Sequence, residues 1–155
     1  MNSDDPSMLS DDQIDYGRLP DSTLESLVLG DDLFIANSAL SMLSQRQPSR
    51  AASVAADILE KKLGDRYLQA AAINVLFDTD PQAAVATICR HFKDWDPYVF
   101  HSILELMIHN QAFFQDRVGL MIVEWAFGRL KASASGDKWP TQEVMREFAR
   151  LYRAR

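Results

Sequence analysis

One pattern of residues recurs three times along the chain, at intervals of just over thirty residues. Asp32, Asp65 and Asp96 each stand before an apolar segment, with spacings of 33 and 31 residues. Aspartate is a favoured helix N-cap, because its carboxylate accepts hydrogen bonds from the first N–H groups of the helix. The recurrence therefore predicts three helices that begin in the same way.

The positions after each aspartate also agree in type. Two residues on, the side chain is aromatic, and three, eight and eleven residues on it is apolar, a spacing that places these residues on one face of an α-helix. The four columns are Phe34, Tyr67 and Tyr98; Ile35, Leu68 and Val99; Leu40, Ile73 and Leu104; and Leu43, Leu76 and Met107. Pro48 and Pro81, again 33 residues apart, are typical of the first turn of a second helix. Each unit is therefore predicted to be a pair of helices.

Helix pairs with this period bury their apolar faces against neighbouring pairs. The segments 32–63, 65–94 and 96–130 resemble HEAT-type repeats, with Asp or Pro opening the first helix, Ala and Leu inside it, and Ala, Val and Leu in the second. The resemblance covers about residues 20–128. It implies an all-α fold, a short right-handed α-α superhelix of about three hairpins, and a general habit of binding macromolecules. Tetratricopeptide and armadillo-like repeats share the helix-pair design and stay open.

The flanks of the repeats indicate capping helices. Ser22 and Glu25 have capping-box spacing and open a short helix that Gly30 ends. Residues 131–140 have the composition of a linker, and a final amphipathic helix is predicted over about 141–154. The second helix of the third unit is expected over 113–130. Residues 21–155 are thus predicted to form one repeat domain, preceded by a flexible acidic tail over 1–20.

Charge and composition limit the functions open to the chain. The net charge is −6, and residues 1–32 carry nine acids against one base. This balance argues against binding to nucleic acid, which needs a basic face. The single cysteine, Cys89, rules out an internal disulfide and a zinc site made of cysteines alone. The acidic start and the lack of a long apolar run favour a cytoplasmic protein, of a bacterial kind, that does not bind a membrane.

Three polar residues give the sharpest candidate for a metal site. His101, Glu105 and His109 recur every four residues on one helix. Metal sites usually draw ligands from more than one element, so we interpret this set as part of a polar ridge on a solvated or partner-contacting face. HEAT-like iron enzymes resembling deoxyhypusine hydroxylase use adjacent His-Glu pairs, and this chain has no such pair. The matching columns of the first two units supply Asn37, Ser41 and Gln45, and Ala70, Asn74 and Asp78.

No catalytic motif stands out elsewhere. The chain has no Gly-rich phosphate loop, GxSxG, HExxH or CxxC. Cys89 and His91 point away from each other on a helix, so they do not form a dyad. Cys89 is interpreted as a buried, inert thiol. Tyr67 and Tyr98 are candidate anchors for a partner, with a ladder of Phe34, Tyr67 and Tyr98 between repeats as the alternative.

The sequence predicts a non-enzymatic protein-protein interaction module without a cofactor. Its partner would be another protein: a basic one if the chain is a bacterial immunity or antitoxin-like protein, with an adaptor as the other form. The candidate contact residues are Asn37, Ser41, Asn74, Asp78, His101, Glu105, Tyr67 and Tyr98. Two alternatives stay open: a metal- or chromophore-handling enzyme similar to HEAT-like phycobilin lyases, and a scaffold that self-associates through the face from Phe113 to Phe127.

Overall fold

The computed structural model describes residues 9–133 and 136–153, and this part of the chain is all-α. It divides into two compact units, residues 1–79 (unit 1) and residues 80–155 (unit 2). The all-α fold predicted from the sequence is confirmed. The single repeat domain over 21–155 stays a prediction, and the tail over 1–20 lies partly outside the described residues.

Each unit contains four α-helices within its described residues. Those of unit 1 are α1 (Asp21–Val28), α2 (Leu33–Arg46), α3 (Pro48–Lys61) and α4 (Arg66–Thr79). Those of unit 2 are α5 (Pro81–Arg90), α6 (Pro97–His109), α7 (Arg117–Ala132) and α8 (Gln142–Arg153).

Aspartate carboxylates cap the three predicted helix starts. Asp32 accepts a hydrogen bond from the Ile35 N–H at 3.1 Å. Asp65 accepts from the Leu68 N–H at 2.9 Å, and Asp96 accepts from the N–H of the residue two positions on at 2.8 Å. Each bond satisfies a donor that the helix itself leaves unpaired. The predicted starts of α2, α4 and α6 are therefore confirmed.

The core of unit 1 lies between α1, α2, α3 and α4. Its side chains come from one face of each helix, and the largest of those fully buried are Leu24, Leu40, Leu43, Ile58, Leu59, Leu68 and Ile73. Helix α2 contacts α1, α3 and α4. Burying such a side chain contributes about 1.5–3 kcal/mol each, which is the main source of stability for helices of this length.

In unit 2, helix α8 packs on α6 and α7. Phe148 is fully buried, with its ring centroid 4.9 Å from that of Phe127. Tyr152 donates from its hydroxyl to the Met107 carbonyl at 2.6 Å, which satisfies an acceptor near the end of α6. The predicted final helix is present, and it covers apolar surface of α6 and α7.

The second helix of the third unit begins later than predicted. A 3-10 turn spans Gln111–Phe114, and α7 starts at Arg117 after the cap Asp116, whose carboxylate accepts from the Gly119 N–H at 2.7 Å. The turn brings the Phe114 backbone against α7, so that a Cβ on Gly119 would lie 2.4 Å from it. The glycine at 119 permits this close approach.

The N-terminal segment, residues 9–20, lies against α2. It contains two 3-10 turns, and Tyr16 donates from its hydroxyl to the Asp11 carboxylate. Burial, with the hydrogen bond to Asp11, raises the pKa of Tyr16 to about 12. Hydrogen bonds from Tyr16 and Ser38 lower the pKa of Asp11 below its usual 3.8.

These shifts predict that the segment loosens at both extremes of pH. Ionised Asp11 contributes above pH 3.8, and its contribution is lost as the pH falls through its lowered pKa. Neutral Tyr16 contributes below pH 10.0, and its contribution is lost as the pH rises through about 12. We expect the tyrosinate absorbance of the wild type minus that of Tyr16→Phe to rise near pH 12. A rise centred on pH 10.0 would show that Tyr16 lies in water.

The two glycines of α7 give a matched pair of substitutions. Gly119→Ala forces a methyl group into the Phe114 backbone and should destabilise the protein by about 1–3 kcal/mol. At Gly128 a Cβ meets nothing within 4 Å, so Gly128→Ala should stabilise the helix by roughly 0.5–1 kcal/mol. Urea unfolding of both variants at low protein concentration measures the difference. Equal stabilities would contradict the packing of the turn on α7.

Candidate functional site

The clearest surface feature of unit 1 is a cleft where α2 and α4 begin side by side. It has a volume of about 470 Å³. The segment before α2 and the segment before α4 both line it, so the two helix starts face the same opening. Its apolar lining comes from Val28, Leu29, Leu33, Leu63 and Leu68. Leu29 and Leu63 were not predicted as site residues, because a leucine in a short connection looks like an ordinary core residue.

Two aromatic side chains stand beside this cleft. Phe34 follows the lining residue Leu33 and is 80% exposed, and Tyr67 precedes the lining residue Leu68 and is 46% exposed. They occupy the same position in α2 and α4, the second residue of each helix. A side chain as exposed as Phe34 is not packed in a ladder, so the ladder interpretation is wrong at this residue. Its exposure is the property expected of an anchor.

Three acids lie at the cleft, and one base, Arg66, lies with its guanidinium 5.1 Å from the centre of the Tyr67 ring. Asp31 and Asp65 line the cleft, and Asp32 caps the adjacent helix. Tyr16 lies close enough to Asp32 for that charge to affect its pKa, which brings the N-terminal acid Asp11 to the same region. We call the surface formed by the cleft, its two aromatic neighbours and its acids the aromatic cleft: Leu29, Asp31, Asp32, Leu33, Phe34, Leu63, Asp65, Tyr67 and Leu68.

The predicted polar ridge is partly present in unit 1. Ser41, Asn74 and Asp78 are exposed. Asn37 is half-buried and donates from its amide to the Leu33 carbonyl at 2.9 Å, and Asn74 donates to the carbonyl of residue 70 at 3.1 Å. These amides are therefore already bonded to their own helices. A role for these four residues in partner binding stays a prediction.

In unit 2 the ridge residue His101 is covered and held on both sides. It is 6% exposed, unlike the solvent-facing side chain that the sequence predicts. Its Nδ1 accepts a hydrogen bond from the Thr141 N–H at 3.2 Å, so its Nε2 carries the proton and donates to Glu105 at 2.5 Å. The segment before α8 covers it, and Trp139 lies with its ring centroid 4.6 Å away.

Tyr98 has different surroundings from its counterpart in unit 1. Its ring lies edge-on to Trp139, with centroids 4.9 Å apart, and is stacked on His101 at 6.3 Å. Trp139 belongs to the segment that the sequence indicates as a linker, and no periodic pattern marks it as a packing residue. Tyr98 is therefore a packed side chain. It lacks the exposure that makes Tyr67 a candidate anchor.

The three candidate metal ligands, His101, Glu105 and His109, do not form one metal site. The Nδ1 of His109 lies 2.8 Å from the Glu105 carbonyl, whereas His101 bonds to the Glu105 side chain and to Thr141. Among residues 9–133 and 136–153, no group of three or more His, Cys, Asp or Glu side chains is placed to hold a metal ion.

A larger cleft, of about 860 Å³, lies in unit 2 along α7. Its lining includes Cys89, which is half-buried and not fully enclosed as the sequence suggested. Arg129 donates to the Phe92 carbonyl at 3.4 Å and to the Trp95 carbonyl at 2.5 Å, and its guanidinium lies 4.4 Å from the centre of the Phe100 ring. Burial lowers the pKa of Arg129. The arginine thus ties α7 to the turn after α5.

Comparison with known proteins gives no match to this chain among family models, curated proteins or solved structures. Within the described residues, none of the helices has both the length and the apolar character needed to cross a bilayer. The surfaces themselves are therefore the basis for any functional assignment.

The hydrogen bonds of His101 predict unequal effects of two histidine substitutions. His101→Ala removes the acceptor of the Thr141 N–H and should destabilise the protein by about 1–3 kcal/mol, with faster amide hydrogen exchange in α8. His109→Ala is the matched control, because His109 is exposed and bonds to a backbone carbonyl of its own helix, and should change stability by less than about 0.5 kcal/mol. Unchanged exchange in His101→Ala would show that the tie to α8 is dispensable.

Proposed function

We propose that this protein is a non-enzymatic protein-binding module and that the aromatic cleft of unit 1 is its docking surface. The observation that carries the proposal is the exposure of Phe34, at 80%, beside an apolar cleft at the start of α2. An exposed side chain of this size adds nothing to the packing of unit 1. It supplies apolar area that a partner can bury.

The composition of the aromatic cleft suits a protein partner. Leu29, which lines the cleft, is 57% exposed, and Tyr67 is 46% exposed although the Arg66 guanidinium lies over its ring. Contiguous exposed apolar surface marks interaction sites on soluble proteins, and a tyrosine combines a large contact area with a polar tip. A partner side chain inserted between the two helix starts would be enclosed by leucines and flanked by aromatic rings.

Charge favours a basic partner. Asp31 and Asp65 line the opening, and residues 1–79 carry thirteen acids against six bases. Residues 80–155 carry nine acids and ten bases, so the excess of acid belongs to unit 1. Complementary charge speeds association and excludes partners of the wrong sign. Basic lysine or arginine residues flanking an apolar anchor are the chemistry that this surface recognises.

The repeat architecture supports the same function. Matching columns share their burial: Ile35, Leu68 and Val99 are at most 3% exposed, and Asp32 and Asp65 cap their helices alike. We propose that the helix pairs are HEAT-like repeats in a right-handed superhelix. Such repeats serve mainly to present surface to macromolecules. A cytoplasmic adaptor, or an immunity or antitoxin-like protein of bacterial type, fits an acidic module that captures a basic protein.

Selection of peptides on the immobilised full chain tests the proposal. A displayed random-peptide library should enrich sequences that place Leu, Phe or Trp next to Lys or Arg. A synthetic copy of an enriched peptide should bind Phe34→Ser at least roughly tenfold more weakly than the wild type in fluorescence anisotropy, because a central aromatic anchor is lost. Added salt should weaken binding further, since the flanking contacts are ionic.

Phe113→Ser is the matched control, because Phe113 is also an exposed phenylalanine, at 48%, but belongs to unit 2. It should leave peptide affinity unchanged. Both variants should keep the wild-type stability within about 0.5 kcal/mol, since exposed side chains contribute little to folding. Enrichment of acidic peptides, or equal binding to Phe34→Ser, would refute docking at the aromatic cleft.

A further inference from the structure

The cleft of about 860 Å³ along α7 is lined by two parts of unit 2. One part is the end of α5 with the 3-10 turn Phe92–Asp94 that follows it, and the other is the face of α7 that carries Glu124, Trp125, Gly128 and Arg129. Small-molecule sites in proteins are concave and have volumes of about 300–1,000 Å³. We call this cavity the α7 cleft, and its size suits a small organic molecule.

Trp125 and Gly128 form a surface that suits a flat ring. The Trp125 ring packs on Phe92, with ring centroids 5.7 Å apart, and the tryptophan still keeps 39% of its surface exposed. One helical turn later, a Cβ on Gly128 would have no atom within 4 Å, so no side chain of the described residues fills the space beside the indole. A ligand ring in this space can contact the helix backbone and the indole together, and aromatic pairs of this kind are favourable.

The charged residues of the α7 cleft favour a negative ligand. Three bases line it, Arg90, Lys93 and Arg129, against two acids, Asp94 and Glu124. Arg90, Lys93 and both acids are exposed, whereas Arg129 is half-buried. Water screens the exposed charges, so the half-buried guanidinium has the strongest effect on a ligand inside the cleft.

The hydrogen bonds of Arg129 leave its charge without a bonded carboxylate. Its guanidinium donates to the carbonyl oxygens of Phe92 and Trp95, which are neutral acceptors, and these bonds use two of the five N–H donors of an arginine. Asp96 is the acid whose charge acts on Arg129, and its carboxylate already accepts from the Tyr98 N–H as the cap of α6. A cation that has lost part of its hydration is stabilised by an anion placed beside it.

We infer that the α7 cleft is a binding site for a small planar aromatic carboxylate. The ring of the ligand lies beside Trp125 in the space over Gly128, and its carboxylate is held by Arg129, with Lys93 as the second cation. Hydrogen bonds between ionised groups are roughly twice as strong as those between neutral ones. This site lies in unit 2, so it does not depend on the proposed docking surface of unit 1.

Three probes of one shape and different charge test the site: 2-naphthoate, the neutral 2-naphthylmethanol and the cation 2-naphthylmethylammonium. Cys89 lines the α7 cleft and is the single cysteine of the chain, so its alkylation by iodoacetamide, followed by mass spectrometry, reports occupancy of the cleft. Naphthoate should slow the alkylation of the full chain saturably, with half of the effect at roughly 0.1–1 mM for a ligand of this size. The alcohol should bind at least roughly fivefold more weakly, and the cation more weakly still.

Gly128→Leu tests the position of the ring, with naphthoate affinity measured by calorimetry. In a helix, a leucine side chain lies over the preceding turn, which here carries Trp125, so it should occupy the place of the ring and weaken binding at least roughly tenfold. Since a Cβ at 128 meets nothing within 4 Å, thermal unfolding should match that of the wild type or improve on it. Leu120→Ala is the matched control, because Leu120 is 47% exposed on α7 but does not line the α7 cleft, and it should bind naphthoate as the wild type does.

Arg129→Gln tests the charge. It should lower the affinity for naphthoate several-fold and bring it close to the affinity for the alcohol, which should change little. Equal weakening of both probes would show that Arg129 acts only on the fold, and would overturn its assignment to the carboxylate.

Three further results would overturn the site itself. They are alkylation of Cys89 that naphthoate does not slow at concentrations up to roughly 5 mM, a Gly128→Leu variant that binds naphthoate as the wild type does, and equal binding of the three probes. Decanoate is the aliphatic carboxylate in the same assay. Tighter binding of decanoate than of naphthoate would show that the cleft selects a flexible chain and not a flat ring.

Discussion

The hydrogen bonds between aspartate carboxylates and the first N–H groups of the helices decide which side chains this protein buries and which it exposes. Asp32 and Asp65 do more than stop the helices from fraying: they fix the residue at which α2 and α4 begin. Once the start is fixed, the 3.6-residue turn decides which side chains face inward. Ile35 and Leu68, three residues on, become core. Phe34, one residue earlier, is turned outward, and so the exposure of the proposed anchor is a consequence of the cap.

The sequence was a good guide to local structure because its signals were local. A cap and an apolar column lie within about a dozen residues, and the columns containing Leu40 and Leu43 are buried as predicted. Contacts between residues far apart in sequence were missed. Trp139 and Thr141 lie about forty residues after Tyr98 and His101, in a stretch whose composition resembles a linker. Helical periodicity contains no information about such a contact, so a buried histidine was interpreted as a surface one. The cleft of unit 1 was missed for a similar reason, since it is formed by two connections rather than by one helix face.

The two glycines of α7 lie in different surroundings. The carboxylate of Asp116 caps the start of α7 by accepting a hydrogen bond from the Gly119 N–H. The 3-10 turn before α7 packs so closely on Gly119 that no side chain fits at this position. Nothing within the described chain makes the same demand at Gly128. Both positions lower helix propensity by about the same amount, and natural helices tolerate such a loss where close approach of another backbone requires it. An internal contact accounts for Gly119, whereas Gly128 lines the open cleft along α7 together with Trp125.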